Sequence, residues 1–598
     1  MRNTIVFLLL AGLFVIGLLE PSLAVDRPGA YVTTAEATNY EQTSTYDETI
    51  AYLRRLEKAS DLVRLLPFGT TPQGRTMYLA ALSKDKAFTP EAAQATGKPI
   101  VLVENGIHSG EICGKDASLA LMRDLLTTKE YANLLDNVIL LVVPVFNIDG
   151  HENISPYNRA NQLGPDSMGF RVTAQRINLN RDFLKADAPE MQAWTKMFVA
   201  WRPHLFIDNH VTDGADYQYT ITYSISDQVD AAASVRNWVT GQFMPALTSR
   251  LHHAGQEIIP YVITRGDDPS TGLWSWVAPP RFSNGYSVIH NRPGMLVEMH
   301  MLKDFKTRIR ANYALLLAVL QELNEHPQPL VEAVRQADEE TAAGLTEPYP
   351  LRFRNSGDSV MIDFLGYECE YVESEIAGTT WVRYFPDKPV TMRIPYFNRA
   401  VITESVTPPK YYLIPQEWQL LIERLAINGV ELRKLAKSLT TEVEVYKLTK
   451  PEWDRETYEG RHRVSFESQT ITATRTFPAG TIVVPLKQRA AKVAMHILEP
   501  KAPDSFVSWG FFNTIFERKE YIEPFVVEKL AAEMLAADSG LKVEFEARLA
   551  ADSTFSNSPR DRWGFFYERS PYSEPDLNCY PVVRVMQDIV LETASYIP

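Results

Sequence analysis

His108 and Glu111 stand three residues apart just after an apolar run, in Val101-Leu102-Val103-Glu104-Asn105-Gly106-Ile107-His108-Ser109-Gly110-Glu111. A strand that ends in a glycine-loosened turn can aim both side chains at one point. An imidazole nitrogen beside a carboxylate oxygen suits Zn2+, which takes both at about 2.0–2.2 Å. An H-x-x-E pair alone arises often by chance, so its weight comes from what lies downstream. Leu205-Phe206-Ile207-Asp208-Asn209-His210 puts a histidine just past the end of another apolar run, the edge at which open α/β sheets build their sites. Two His and one Glu leave the fourth position of a tetrahedral zinc open, as catalytic sites do. Met295-Leu296-Val297-Glu298-Met299 sets one carboxylate among apolar neighbours, an environment that raises a carboxylate pKa toward the range of a general base. The structural alternative for Glu298 is a salt bridge to a nearby Lys or Arg.

Between these runs lie Asn147-Ile148-Asp149-Gly150 and Asn178-Leu179-Asn180-Arg181-Asp182-Phe183. With HSGE at 108–111, His210 and Glu298, these segments resemble the zinc metallocarboxypeptidases of the carboxypeptidase A (M14) family, over roughly residues 40 to 325. NIDG stands for that family's N-P-D-G, and NLNRDF for its D-L-N-R-N-F. The resemblance implies that His108, Glu111 and His210 hold one zinc ion. It implies that Glu298 is the general base that takes a proton from the attacking water and later delivers it to the leaving amine. Asn180 and Arg181 would bind the substrate's terminal carboxylate, a task suited to a bidentate guanidinium with an amide beside it. Arg171 is the choice for the cation that stabilises the tetrahedral oxyanion, with Arg159 and Arg176 as rivals.

Three departures accompany the likeness. Gly110 stands where pancreatic-type members carry an arginine, which removes part of their substrate-side charge. Asn178 replaces the Asp that lies behind the first zinc His in many members, so His108 is expected to use another acceptor or to bind less tightly. The family's catalytic Tyr has only Tyr286 as a candidate. His300, two residues after Glu298, competes as a ligand but reads better as structural, and the adjoining His252 and His253 read as a solvated helix face. Phosphate-loop, dinucleotide and serine-nucleophile motifs do not occur.

The elements that must position these groups are legible as patterns. An amphipathic helix over Tyr46 to Ser60 precedes a turn at 71–74 and a strand over Met77 to Leu82. Near-continuous apolar runs at Ile100 to Val103, Val138 to Val145, Leu205 to Ile207 and Met295 to Val297 predict strands buried on both faces. They are separated by helical stretches at Ala117 to Leu126 and Pro189 to Val199, and a long helix from about Lys306 to Leu323 follows the last. The predicted fold is α/β, a mixed twisted sheet flanked by helices and, by the resemblance, zinc carboxypeptidase-like. An accessory α+β region follows, with short alternating strands near Tyr371 to Val372, Thr380 to Tyr384 and Val390 to Ile394. The aromatics crowded at 506–512 and 563–567 read as core or interdomain packing.

At 598 residues the chain has room for two to four domains. The expected division is a signal peptide at 1–24, a catalytic unit at 25–328, a helical connector at 329–348 and an accessory region at 349–598. The leader reads from Arg2, the uncharged run Ile5 to Leu19, and the small residues Ser22 and Ala24 that mark cleavage after Ala24. The run is shorter than the ~20 residues that span a bilayer, so export to the periplasm or outside the cell is expected, without stable membrane insertion. Sixty Lys+Arg against 74 Asp+Glu give a net charge of −14, which offers phosphate backbones no footprint. Three cysteines allow one bridge at most. The expected activity is zinc-dependent hydrolysis of C-terminal peptide bonds, with peptide or protein C-termini as substrate. The alternatives are a zinc amidase or endopeptidase acting on cell-wall peptides and a catalytically silent peptide-binding protein.

Overall fold

The structure, a computed structural model, describes residues 31–597 except 213, 227, 228 and 346. The expected leader at 1–24 lies outside the described residues. The first part of the chain forms β1 (Val63–Thr70), β2 (Thr76–Leu82), β3 (Ile100–Asn105), β4 (Ile139–Val143), β5 (Leu205–Thr212), β6 (Ile221–Ser224) and β7 (Ile258–Pro260). The short strands β8 (Ile263–Thr264) and β9 (Leu273–Trp274) then precede β10 (Gly294–His300). Eight of these join one sheet in the order β1-β2-β4-β3-β5-β10-β6-β7. The four central strands β4, β3, β5 and β10 run parallel. β2 meets β1 and β4 antiparallel, and β6 meets β10 antiparallel. The mixed α/β sheet expected from the sequence is therefore present.

Every residue of β3, β4, β5 and β10 is buried, which is why these strands read as unbroken apolar runs rather than alternating ones. Successive side chains go to opposite faces. On one face Val101, Val103 and Ile207 meet Leu316, Val319 and Leu320 of the helix Phe305–Glu325. On the other, Phe206 packs with Trp194 and Phe198 of the helix Pro189–Trp201. The helix Tyr46–Ala59 begins at a capping box in which Thr45 and Glu48 satisfy each other's backbone N–H groups.

After the helix Gln328–Ala343 the chain is mostly antiparallel β, with further helices between Pro524 and Tyr567. The three short strands expected near 371, 380 and 390 are instead one long hairpin, Val360–Ser374 against Thr379–Phe397. Residues 386–388, Pro386 among them, bulge out opposite Tyr367 and Glu368, and the pairing resumes at Pro389. A seven-stranded sheet follows, with the hairpin Leu439–Trp453 and Val464–Phe477 at one edge. One continuous hydrophobic core runs from Ala35 to Val582, through both parts of the chain. Trp509 packs against Lys185 and Tyr458, so this aromatic lies between the two parts.

Candidate metal centre

β3 ends at Asn105, and Gly106 turns the chain at φ +67°, where a side chain would be strained. The following loop is pinned from beneath: Ser109 Oγ donates to the Asn147 carbonyl at 2.6 Å, and Asn147 Nδ2 donates to the Arg171 carbonyl at 3.1 Å. The NIDG segment thereby ties the His108 loop to the segment carrying Arg171. Behind it, Asn312 donates to Asn209 Oδ1 (2.7 Å) and Asn209 donates to Asn105 Oδ1 (2.9 Å). This buried amide ladder fixes β3 against β5.

His108, Glu111 and His210 come together from the loop and from β5, each almost completely buried, with one ligand atom of each within 4.8 Å of the others. Nδ1 of His108 lies 3.1 Å from Glu111 Oε1, and Nδ1 of His210 lies 3.1 Å from Glu111 Oε2. The tautomers follow from the outer partners. Asn178 Oδ1 accepts from the Asn180 backbone N–H at 3.1 Å, so the atom 3.1 Å from His108 Nε2 is an oxygen and Nε2 is the donor. His210 Nε2 donates to Asp208 Oδ2 at 2.7 Å. With Nε2 as the outer donor in each ring, both Nδ1 atoms face the same point, and their lone pairs would be free for a metal there once the rings are neutral. The donor set of two imidazoles and one carboxylate, each held from behind, fits zinc.

Electrostatics bear the mark of burial. Desolvation pulls His108 down to about 4 despite the neighbouring Glu111. Burial opposes the charged ring of His210 too, but the Asp208 carboxylate overrides it and lifts the pKa well above the ordinary value. Burial alone would raise Glu111, yet His108 and Arg159 hold it well below the usual carboxylate range. Glu104, in register with Asp208 on the adjacent strand, is pushed well up by burial and then by that carboxylate.

Glu298 sits on β10 in register with His210 on β5, so the two side chains leave the same face of the sheet. Its charge is felt at His210 and at Tyr217. Arg159 and Arg171 both reach Glu111 Oε1, at 2.9 and 3.3 Å; Arg176 lies elsewhere, beside Arg75 and Asp149. A Cβ on Gly110 would come within 2.6 Å of the Arg159 side chain. Glycine is thus required there, and Arg159 brings to Glu111 a guanidinium from another part of the chain. Asn180 is buried, and the Arg181 guanidinium stacks over Phe282 at 4.2 Å while donating to the Asn180 carbonyl at 2.6 Å. Among the described residues Arg181 forms no ion pair, and burial lowers its pKa.

Two expectations are corrected. Tyr286 is fully buried, donates to Asn428 Oδ1 at 2.9 Å and packs on Trp194 and Phe198; it belongs to the core. Asn178 does not leave His108 without its usual support, because the amide oxygen takes the acceptor's place. His300 lies 2.9 Å from Asp216 Oδ1, outside the cluster, and His252 and His253 are exposed. The three cysteines are free thiols. Asp208 has only its spacing to mark it in the sequence: an Asp two residues before a strand His must share its face.

A buried two-His, one-Glu cluster at the C-terminal edge of a mixed sheet has the ligand set of a catalytic zinc site. Residues 49–271 match the family model described as Zinc carboxypeptidase (Peptidase M14). Carboxypeptidase 2 of Trichophyton equinum is 26% identical over 491 residues, 78% of this chain and 84% of that protein. Carboxypeptidase 2 of Trichophyton rubrum shows the same identity and coverage, 26%, 78% and 84%. A span of that length runs well past residue 328. Among solved structures, the carboxypeptidase A of Helicoverpa armigera is 15% identical, with a TM-score of 0.36 over 50% of this chain and 75% of that one.

Proposed function

We propose that this protein is a zinc-dependent carboxypeptidase that removes residues from the C-termini of peptides. The observation that carries the reading is the convergence of His108 Nδ1, Glu111 and His210 Nδ1, with Glu298 beside His210 on the next strand. A zinc ion held by the three would polarise the scissile carbonyl and lower the pKa of water to about 7. Glu298, at the edge of the cluster, takes the proton of the attacking water and returns it to the departing amine. Arg171, part-exposed beside Glu111, supplies positive charge where the oxyanion develops, and Arg159 supports it from a more buried position. Arg181, a half-buried cation that forms no ion pair among the described residues, and the amide of Asn180 receive the terminal carboxylate of the substrate.

The test is mass spectrometry of a peptide pool incubated with the purified protein, each peptide present as free acid and as C-terminal amide. Stepwise loss of C-terminal residues from the free acids alone is the expected result. Internal cleavage, or cleavage of cell-wall peptides only, favours an amidase, and bound zinc without any cleavage favours a peptide receptor. The proposal includes export: the chain recovered outside the cytoplasm is expected to begin at Val25, which N-terminal sequencing checks.

A further inference from the structure

The segment between Trp453 and Val464 turns back at Tyr458–Arg461, where the two backbones pair at 2.9 and 3.1 Å. Its central residues Glu459 and Gly460 have φ of +50° and +78°, the two positive angles of a type I′ turn. A glutamate in the left-handed region is strained, and such residues gather where the surroundings dictate the conformation. Here the surroundings are the candidate active site, more than 270 residues earlier in the chain. Glu459 Oε2 accepts from the Asn178 backbone N–H at 3.4 Å, and Asn178 is the residue that orients His108. The Tyr458 hydroxyl and, more weakly, the Glu459 carboxylate both bear electrostatically on the Arg181 guanidinium.

The turn is held firmly in place. Arg461 grips Asp187 through Nε and Nη2, both at 2.7 Å, and stacks over Phe511 at 3.6 Å. Tyr458 lies parallel to the Trp509 ring, 5.8 Å away. Tyr458 and Glu459 nevertheless stay half-buried rather than buried, so neither is sealed into the core. That geometry is a fixed wall with one hydroxyl and one negative charge facing the place where a substrate's last residue would sit.

We infer that the Tyr458–Arg461 turn of the C-terminal region forms part of the substrate cleft. In it Glu459 selects for a basic and against an acidic C-terminal side chain, and Tyr458 adds a hydrogen bond to the anion held by Arg181. This rests on the carboxypeptidase reading above. A charge a few ångströms away at a half-exposed site is worth about tenfold in discrimination.

The test compares benzoyl-Gly-Lys, benzoyl-Gly-Leu and benzoyl-Gly-Glu as substrates of the full chain and of Glu459→Gln and Tyr458→Phe. Gln keeps the acceptor for Asn178 N–H and removes only the charge. The wild type is expected to prefer Lys over Glu, and Glu459→Gln to shrink that preference about tenfold. Tyr458→Phe should raise KM for all three peptides alike. Unchanged Lys-to-Glu ratios in Glu459→Gln, with unchanged KM in Tyr458→Phe, overturn the inference. If the wild type cleaves none of the peptides, the carboxypeptidase reading falls. Equilibrium binding of the Lys and Glu peptides to wild type and Glu459→Gln then still decides the role of the turn: a lost preference supports it and equal preferences refute it.

Discussion

His210, one of the three candidate ligands, is held by a partner on its own strand. It leaves β5 on the same face as Asp208, two residues earlier, and donates to that carboxylate at 2.7 Å. The pair fixes the tautomer and raises the basicity of the ring, contributions usually worth 10–100-fold in metal affinity. Asp208→Asn is therefore expected to weaken zinc binding by about 10–100-fold, measured by competition with a chromogenic chelator. An unaltered affinity would leave Asp208 only a packing role. Glu298→Gln should keep stoichiometric zinc and lose at least ~10²-fold in kcat, and near-normal turnover would remove it from the mechanism. Glu190 illustrates a different cost of burial. Desolvation at the start of its helix pushes its pKa from 4.5 up to about 7. The folded state thus holds this proton more tightly than the unfolded chain. The resulting stabilisation is full below about pH 4.5 and is lost as the pH rises through about 7. Chemical denaturation at pH 5 and pH 8 should show a wild-type decline on the order of 2 kcal/mol that Glu190→Gln lessens.

At the scale of elements, the site is made by neighbouring strand ends. β3 delivers the His108 loop, β5 delivers Asp208 and His210, and β10 delivers Glu298. Parallel register sets His210 opposite Glu298 and Glu104 opposite Asp208, so the sheet alone fixes the spacing of four ionisable groups. The loop after β3 has less freedom than its glycines suggest. Gly110 lies under Arg159, and a Cβ there would meet it at 2.6 Å and the Gly169 carbonyl at 2.9 Å. Gly110→Ala should destabilise the fold by about 1–3 kcal/mol and shift Arg159 away from Glu111. Thermal unfolding and zinc affinity measured together would detect both effects.

For the whole molecule, the C-terminal region is built into the same core as the sheet. Tyr286 donates to Asn428, Arg281 pairs with Asp504 at 2.7 Å, and Arg461 pairs with Asp187. A chain cut after residue 343 would expose Tyr286 and its aromatic neighbours to water. It is expected to aggregate or bind a hydrophobic dye, whereas the full chain should melt in one calorimetric transition. Two well-separated transitions would show that the regions fold independently.

The sequence by itself determined the ligand types, their spacing and the strands that carry them, because apolar runs and an H-x-x-E pair are local features. It indicated which residues could bind zinc and where buried strands must lie. It did not reveal that Asn178 keeps the His108 acceptor, that Arg159 lies over Gly110, or that Tyr286 is core. Nor did it reveal that one long hairpin replaces three short strands near 371, 380 and 390, since proline reads locally as a stop while a bulge absorbs it only when the partner strand is present. Least legible was the arrival of Tyr458 and Glu459 beside Arg181. Contacts between residues so far apart in the chain leave no periodicity or spacing to read, and only the packing of the C-terminal region onto the sheet decides them.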